Sequence, residues 1–198
     1  MEKKENYKTK IKFRYMKKLN YLRISGIALA LSGLSMILSD NIGVPTAKVL
    51  VPVLIIAAGL FSFLFSTKNS HFRIAKQYHL LQGIGLTICG LLVAMLPNSL
   101  EDFLMYIAYF VLLLGFLEFT FAYQVLNAKI KNFNWNMIIS RFIAAMISFI
   151  SAIVLLLNSV DNPLTGLMIA GAVTIIGGIS ILLFANKIKD VNPTNFPE

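Results

Sequence analysis

Apolar residues fall into six long runs, at about 21–38, 48–66, 77–96, 103–125, 138–157 and 164–186, separated by short polar breaks. Each run is close to the ~20 residues that a helix needs to cross ~30 Å of hydrocarbon. The pattern predicts an all-α, polytopic membrane protein with six transmembrane helices. It divides the chain into a basic tail (1–20), a six-helix transmembrane domain (21–188) and a second short tail (189–198). Within the first tail, Ile11, Tyr15 and Leu19 recur every four residues while Lys8, Lys12, Arg14 and Lys18 lie elsewhere. Such a segment reads either as a solvated topogenic tail or as an interfacial helix lying on anionic headgroups.

The polar breaks alternate in chemistry. Those after the first, third and fifth runs are short, acidic and contain proline: Ser39–Pro45, Pro97–Asp102 and Asn158–Pro163. Proline in so short a break favours a tight reversal. The other breaks are basic, with Lys68, Arg73 and Lys76, then Lys129, Lys131 and Arg141, and the end of the chain adds Lys187 and Lys189. Nine of the 18 lysines and arginines precede residue 24, and only Lys48 falls on the acidic side. By the positive-inside rule the basic side is cytoplasmic. The expectation is a multi-pass protein of a bacterial-type cytoplasmic membrane with both termini inside.

Composition agrees. Hydrophobic residues make up 57% of the chain and charged ones 14%, against about a quarter in soluble domains. The net charge of +9 is concentrated in the tail and loops, which suits anionic lipid headgroups better than nucleic acid; a nucleic-acid surface needs basic residues interleaved with exposed aromatics. Cys89 stands alone in an apolar run and reads as a small hydrophobe. The expected partner is the lipid bilayer, with a homo-oligomer or a partner membrane protein left open.

Small residues repeat along the runs. Gly26 and Gly33 lie seven apart, as do Gly83 and Gly90, and Ala144 and Ser151 take the corresponding places in the fifth run. Gly59, Gly115 and Gly178 follow the first member of each pair by 33, 32 and 34 residues, and Phe65, Phe121 and Phe184 come six residues after each late glycine. Arg23 and Arg141 each precede the first small position by three. The six helices therefore read as three consecutive hairpin repeats. Residues seven apart stay on one helix face, and small ones there let backbones approach, which matters where lipid removes the hydrophobic drive between helices. Two further ladders, Ser140, Ala144, Ser148 and Ala152, and Gly166, Ala170, Thr174 and Gly178, read as packing seams, with Leu167 and Ile181 facing lipid.

The stretch Gly83-Ile84-Gly85-Leu86-Thr87-Ile88-Cys89-Gly90-Leu91-Leu92, then Pro97, then Gly115-Phe116-Leu117-Glu118-Phe119-Thr120-Phe121-Ala122 resembles the repeat of HdeD-like acid-resistance membrane proteins. The resemblance covers roughly residues 20–187, and the third hairpin matches it by position more than by identity. It implies a fold of six spans in three hairpins and a link to acid or envelope stress, without a defined molecular activity.

The candidate polar site is built around Glu118, about seven residues, or ~10 Å, from the cytoplasmic end of the fourth span. An acid within a span needs a partner or a task. Arg141 enters from the same side and has the reach for a contact, and His79 and Gln82 sit at comparable depth. With His71 as the second histidine of the chain, a metal site is not expected, and no cofactor motif is present: Gly83-Ile84-Gly85 lacks the strand and spacing of a nucleotide loop. Tyr106, Tyr109, Tyr123 and Trp135 flank the spans as interfacial anchors. No paired acid and base suggests an enzyme. Two functions remain open: a non-catalytic membrane protein of envelope or stress physiology, or a small transporter, channel or substrate-capturing subunit with Glu118 as proton or cation relay.

Overall fold

A computed structural model describes residues 2–68, 73–127, 135–157 and 162–187. All regular elements among them are helices: α1 (Glu2–Ile37), a single turn α2 (Ser39–Ile42), α3 (Val44–Lys68), α4 (Arg73–Met95), α5 (Leu100–Asn127), α6 (Trp135–Leu156) and α7 (Pro163–Lys187). Six of these, α1 and α3 to α7, are long and apolar enough to cross a membrane. The chain is built as an integral membrane protein. α1 runs from Glu2 through the basic first tail into the first span. His71, Lys129, Lys131 and Asn158–Asp161, and residues 188–198 of the last tail, lie outside the described residues.

Each span packs on its neighbours in the chain, and α1 closes on α7, so the six form a ring; α5 also reaches across to α7. The most extensive contacts are α3 with α4, α5 with α6 and α7 with α1. The tightest seams thus run between successive hairpins, not inside them.

Glycines set these distances. A methyl group placed on Gly26 would meet the Gly178 carbonyl at 2.9 Å, and one on Gly33 would collide with the carbonyl of Gly171. On the next seam, a methyl on Gly59 would come within 2.9 Å of the Gly83 carbonyl, one on Gly83 would strike the Phe63 backbone at 2.6 Å, and one on Gly90 would meet Ile56 at 2.6 Å. The α5–α6 seam is looser: a methyl on Gly115 would sit 3.1 Å from Ser148 and 3.2 Å from the Ala145 carbonyl. Ala144 is buried on the same side of α6.

The ladder on α7 divides between two partners. Gly166 lies against Leu104 of α5, whereas Gly178 lies against Ala30 and Gly26 of α1. Steps of four residues advance 40° past a full turn, so the stripe winds by ~120° over twelve residues. Gly171 and Gly178, seven apart, stay on α1 throughout. The ladder on α6 is buried at Ala144, Ser148 and Ala152 but exposed at Ser140. Leu167 and Ile181 do not face lipid: both are 0% exposed, as is Ala170. The lipid-facing stripe of α7 is instead Met168, Ala172, Ile176, Ile179 and Leu183, and Leu167 and Ile181 lie off it, on the side packed against α1, α5 and α6.

The end carrying the acidic turns is closed by specific bonds. Gly43, at φ +85°, turns the chain from α2 into α3. Ser99 and Asp102 cap α5 reciprocally: the Asp102 amide donates to Ser99 Oγ at 3.0 Å and Asp102 Oδ2 accepts from the Ser99 amide at 3.2 Å. This satisfies donors that a helix start leaves free. Lys48, the lone basic residue of this side, donates to the Ser99 carbonyl at 2.7 Å and ties the first turn to the second.

Candidate functional site

The polar interior lies in the half of the bundle where α4 and α6 begin and α5 and α7 end. Glu118 is on the inner face of α5, between buried Leu117, Leu114 and Phe121. Arg141 lies six residues into α6, ~9 Å along the axis. Each is 1% exposed. Arg141 Nη1 donates to Glu118 Oε2 at 2.9 Å and to the Tyr78 hydroxyl of α4 at 3.3 Å. Ser180 of α7 donates to the same Glu118 oxygen at 3.2 Å. Four helices therefore meet at one carboxylate.

Aromatic rings surround the guanidinium. Its central carbon is 4.2 Å from the ring centre of Phe121, 5.0 Å from Phe184 and 5.6 Å from Tyr78. These are cation–π distances, and their strength grows where water is excluded. Phe121 and Phe184 stand edge to face at 5.0 Å. On their other side lies His79, with ring centres 5.1 Å from Phe65, 5.5 Å from Phe184 and 6.3 Å from Phe121. The three phenylalanines that follow the late glycines by six residues thus converge on one histidine.

His79 and Gln82 form a second group with Ser62 of α3. His79 Nδ1 lies 2.7 Å from Gln82 Oε1, and Ser62 donates to that oxygen at 3.0 Å. With the Gln82 oxygen facing it, Nδ1 is the ring nitrogen that would carry the imidazole proton. The structure therefore brings the four candidate polar residues into one layer but as two clusters, Glu118–Arg141 and His79–Gln82, with Phe121 and Phe184 between the histidine and the guanidinium.

Several buried polar atoms in this layer have no partner: Arg141 Nε and Nη2, Glu118 Oε1, His79 Nε2 and Gln82 Nε2. Each such group costs roughly 1–3 kcal/mol if left unmade. The Nε and Nη2 atoms form a two-donor edge of the guanidinium and carry three of its five N–H donors, so more than half of its bonding capacity is unused. No three His, Cys, Asp or Glu side chains gather at metal-holding distance among the described residues.

Sequence reasoning missed Tyr78, Ser180 and Ser62. Two of the three had a signal. Ser62 stands three residues after Gly59, as Glu118 stands three after Gly115, and Tyr78 is the neighbour of His79. Ser180 shares no such offset with the other polar residues and needed the tertiary contact. Tyr109, Tyr123 and Trp135 are exposed on the outside of the bundle. Searches among family models, curated proteins and solved structures found no match to this chain.

Proposed function

We propose that this chain is a non-catalytic multi-pass protein of a bacterial-type cytoplasmic membrane, HdeD-like in kind, serving envelope physiology under stress, acid stress included. On this reading its termini are cytoplasmic, its basic tail contacts anionic headgroups, and its partners are lipid and other membrane proteins or copies of itself. The observation that carries the reading is the closed ion pair: Glu118 and Arg141 face each other at 2.9 Å and link helices from different hairpins, an arrangement that holds a bundle together. The late glycine of each hairpin also rests on the next, Gly59 on Gly83, Gly115 on Ala145 and Ser148, and Gly178 on Gly26. That cyclic order supports descent from three copies of one hairpin.

The test is growth of a strain lacking the chain against its parent, across external pH and envelope stresses. A defect at acid pH, restored by the wild-type chain, is expected; equal growth under every condition would remove the stress assignment. Reporter fusions after Gly43 and Asn98 should read extracytoplasmic and those after Asn69 and Asn132 cytoplasmic, and a cytoplasmic signal at Asn98 would reject the orientation.

A second reading, a small transporter with Glu118 as a cation relay, is favoured by one observation: Glu118 Oε1 is buried without a partner. Cation-dependent flux in proteoliposomes, lost in Glu118→Gln, is its signature.

A further inference from the structure

We propose that the cage holding the Arg141 guanidinium is a binding site for a monovalent organic cation of guanidinium or alkylammonium type, with Arg141 as its built-in, displaceable occupant. The inference deepens the second reading above by naming the chemistry of the ligand.

Without Arg141, what remains is a carboxylate, two hydroxyls and three aromatic faces. Glu118 supplies a negative charge with one oxygen bonded by Ser180 at 3.2 Å and the other unengaged. The Tyr78 hydroxyl sits at the same point, 3.3 Å from the present cation. Phe121, Phe184 and Tyr78 turn toward a shared centre at 4.2–5.6 Å. Aromatic faces around a carboxylate are the chemistry that selects weakly hydrated organic cations over sodium or potassium, because the rings reward a charge spread over several atoms and offer little to a tightly hydrated one. An inorganic or organic anion is a poor fit, since Glu118 would repel it at close range.

The occupant is also held incompletely. Nη1 makes two hydrogen bonds, but Nε and Nη2 are buried with none. Those donors would be hydrated if the side chain extended toward the nearby end of α6, about 9 Å along the axis, as long cationic side chains do near membrane interfaces. Moving out strands Glu118, so the arginine stays in until another cation takes the carboxylate. A ligand entering from that end exchanges one cation for another, and the net charge of the interior is unchanged. The ligand compensates Glu118 while Arg141 recovers its missing bonds in the headgroup region.

The experiment uses the full chain in detergent, with Arg141→Met to remove the guanidinium while keeping the stem of the side chain. Methylguanidinium chloride at about 10 mM should raise the melting midpoint of Arg141→Met by about 3 °C or more over equal sodium chloride. The wild type should shift by less than about 1 °C, and Arg141→Met combined with Glu118→Gln should not respond. A folded Arg141→Met protein that gains nothing over sodium chloride overturns the proposal, as does an equal gain in the double variant.

Should Arg141→Met not yield folded protein, a diazirine-bearing alkylguanidinium is photolysed in membranes holding the wild-type chain. Labelling is expected on peptides containing Tyr78, Phe121 or Phe184, competed by excess methylguanidinium and lost in Glu118→Gln. Labelling confined to lipid-facing positions, or indifferent to competitor, overturns the site. Binding without flux in proteoliposomes keeps the site and rejects transport; absence of binding rejects the site whatever the flux.

Discussion

The α7–α1 and α5–α6 seams are built at corresponding positions and held by different physics. In the first, glycine meets glycine: Gly26 lies on the Gly178 carbonyl, and Gly33 and Gly171 lie carbonyl to α-carbon. In the second, Gly115 faces Ser148 and Ala145, and side chains keep the backbones further apart. The polar positions diverge in step. Three residues before the first small position stand Arg23 and Arg141; three after the late glycine stand Ile181 and Glu118. Where the late position is Ile181, the arginine leaves the interior and donates to Asn186 at 3.1 Å. Where it is Glu118, the arginine turns in and is buried. The same helix geometry is closed by backbone contact in one seam and by an ion pair in the other, and the arginine turns in where the acid stands.

The α3–α4 seam lies between the two. It has the glycine contact of Gly59 and Gly83, and Ser62, at the position of Glu118, bonds His79 and Gln82. A hydroxyl there recruits neutral polar partners and no cation. One position per seam thus sets the character of the whole contact.

The comparison breaks most severely at Gly33. Gly33→Leu should abolish folded protein, because even a methyl there collides with the Gly171 carbonyl and a backbone has nowhere to go. Size-exclusion of a fluorescent fusion is expected to show aggregate only. A monodisperse peak near wild-type yield would mean that the α7–α1 seam is not set by glycine contact.

Next in size is Glu118→Ala, which leaves a buried guanidinium without its counter-charge and should cost about 3–5 kcal/mol. Replacing both partners, as Glu118→Leu with Arg141→Met, should recover most of that loss, since well-packed apolar pairs often match a buried ion pair. A double-mutant cycle on melting in detergent measures the coupling. Additive losses would sink the pair as a unit.

A smaller effect sharpens the rule. Ile181→Glu places an acid on the α7–α1 seam at the position that Glu118 holds on its own. It should destabilise less when Arg23 is present than beside Arg23→Gln, with a coupling of about 1 kcal/mol if the arginine turns inward. Identical losses in both backgrounds would show that the acid does not direct the arginine. Smallest of all, Arg23→Gln in the wild-type chain should change stability by less than about 1 kcal/mol, because its present bonds to Asn186 and Asn20 are exposed. A loss comparable to that of Glu118→Ala would erase the distinction between the seams.

Much of this molecule was legible along the chain. Spans of apolar residues separated by polar breaks lead to six helices, because hydrocarbon leaves the backbone no other partner than itself. Glycines seven apart mark faces of close approach, because that spacing nearly repeats in angle. The need of Glu118 for a partner from its own side followed from the cost of an acid in lipid. What the tertiary structure decided is which faces meet. Periodicity names the stripe on a helix but not the neighbour that covers it, so the seams between hairpins, the division of the α7 ladder and the burial of Leu167 and Ile181 came only with the closed ring. Likewise, residues as distant as Tyr78, Glu118, Arg141 and Ser180 share a site because ring closure brings α4, α5, α6 and α7 together at one depth. Local spacing carries the geometry of one helix; the convergence of four belongs to the packing.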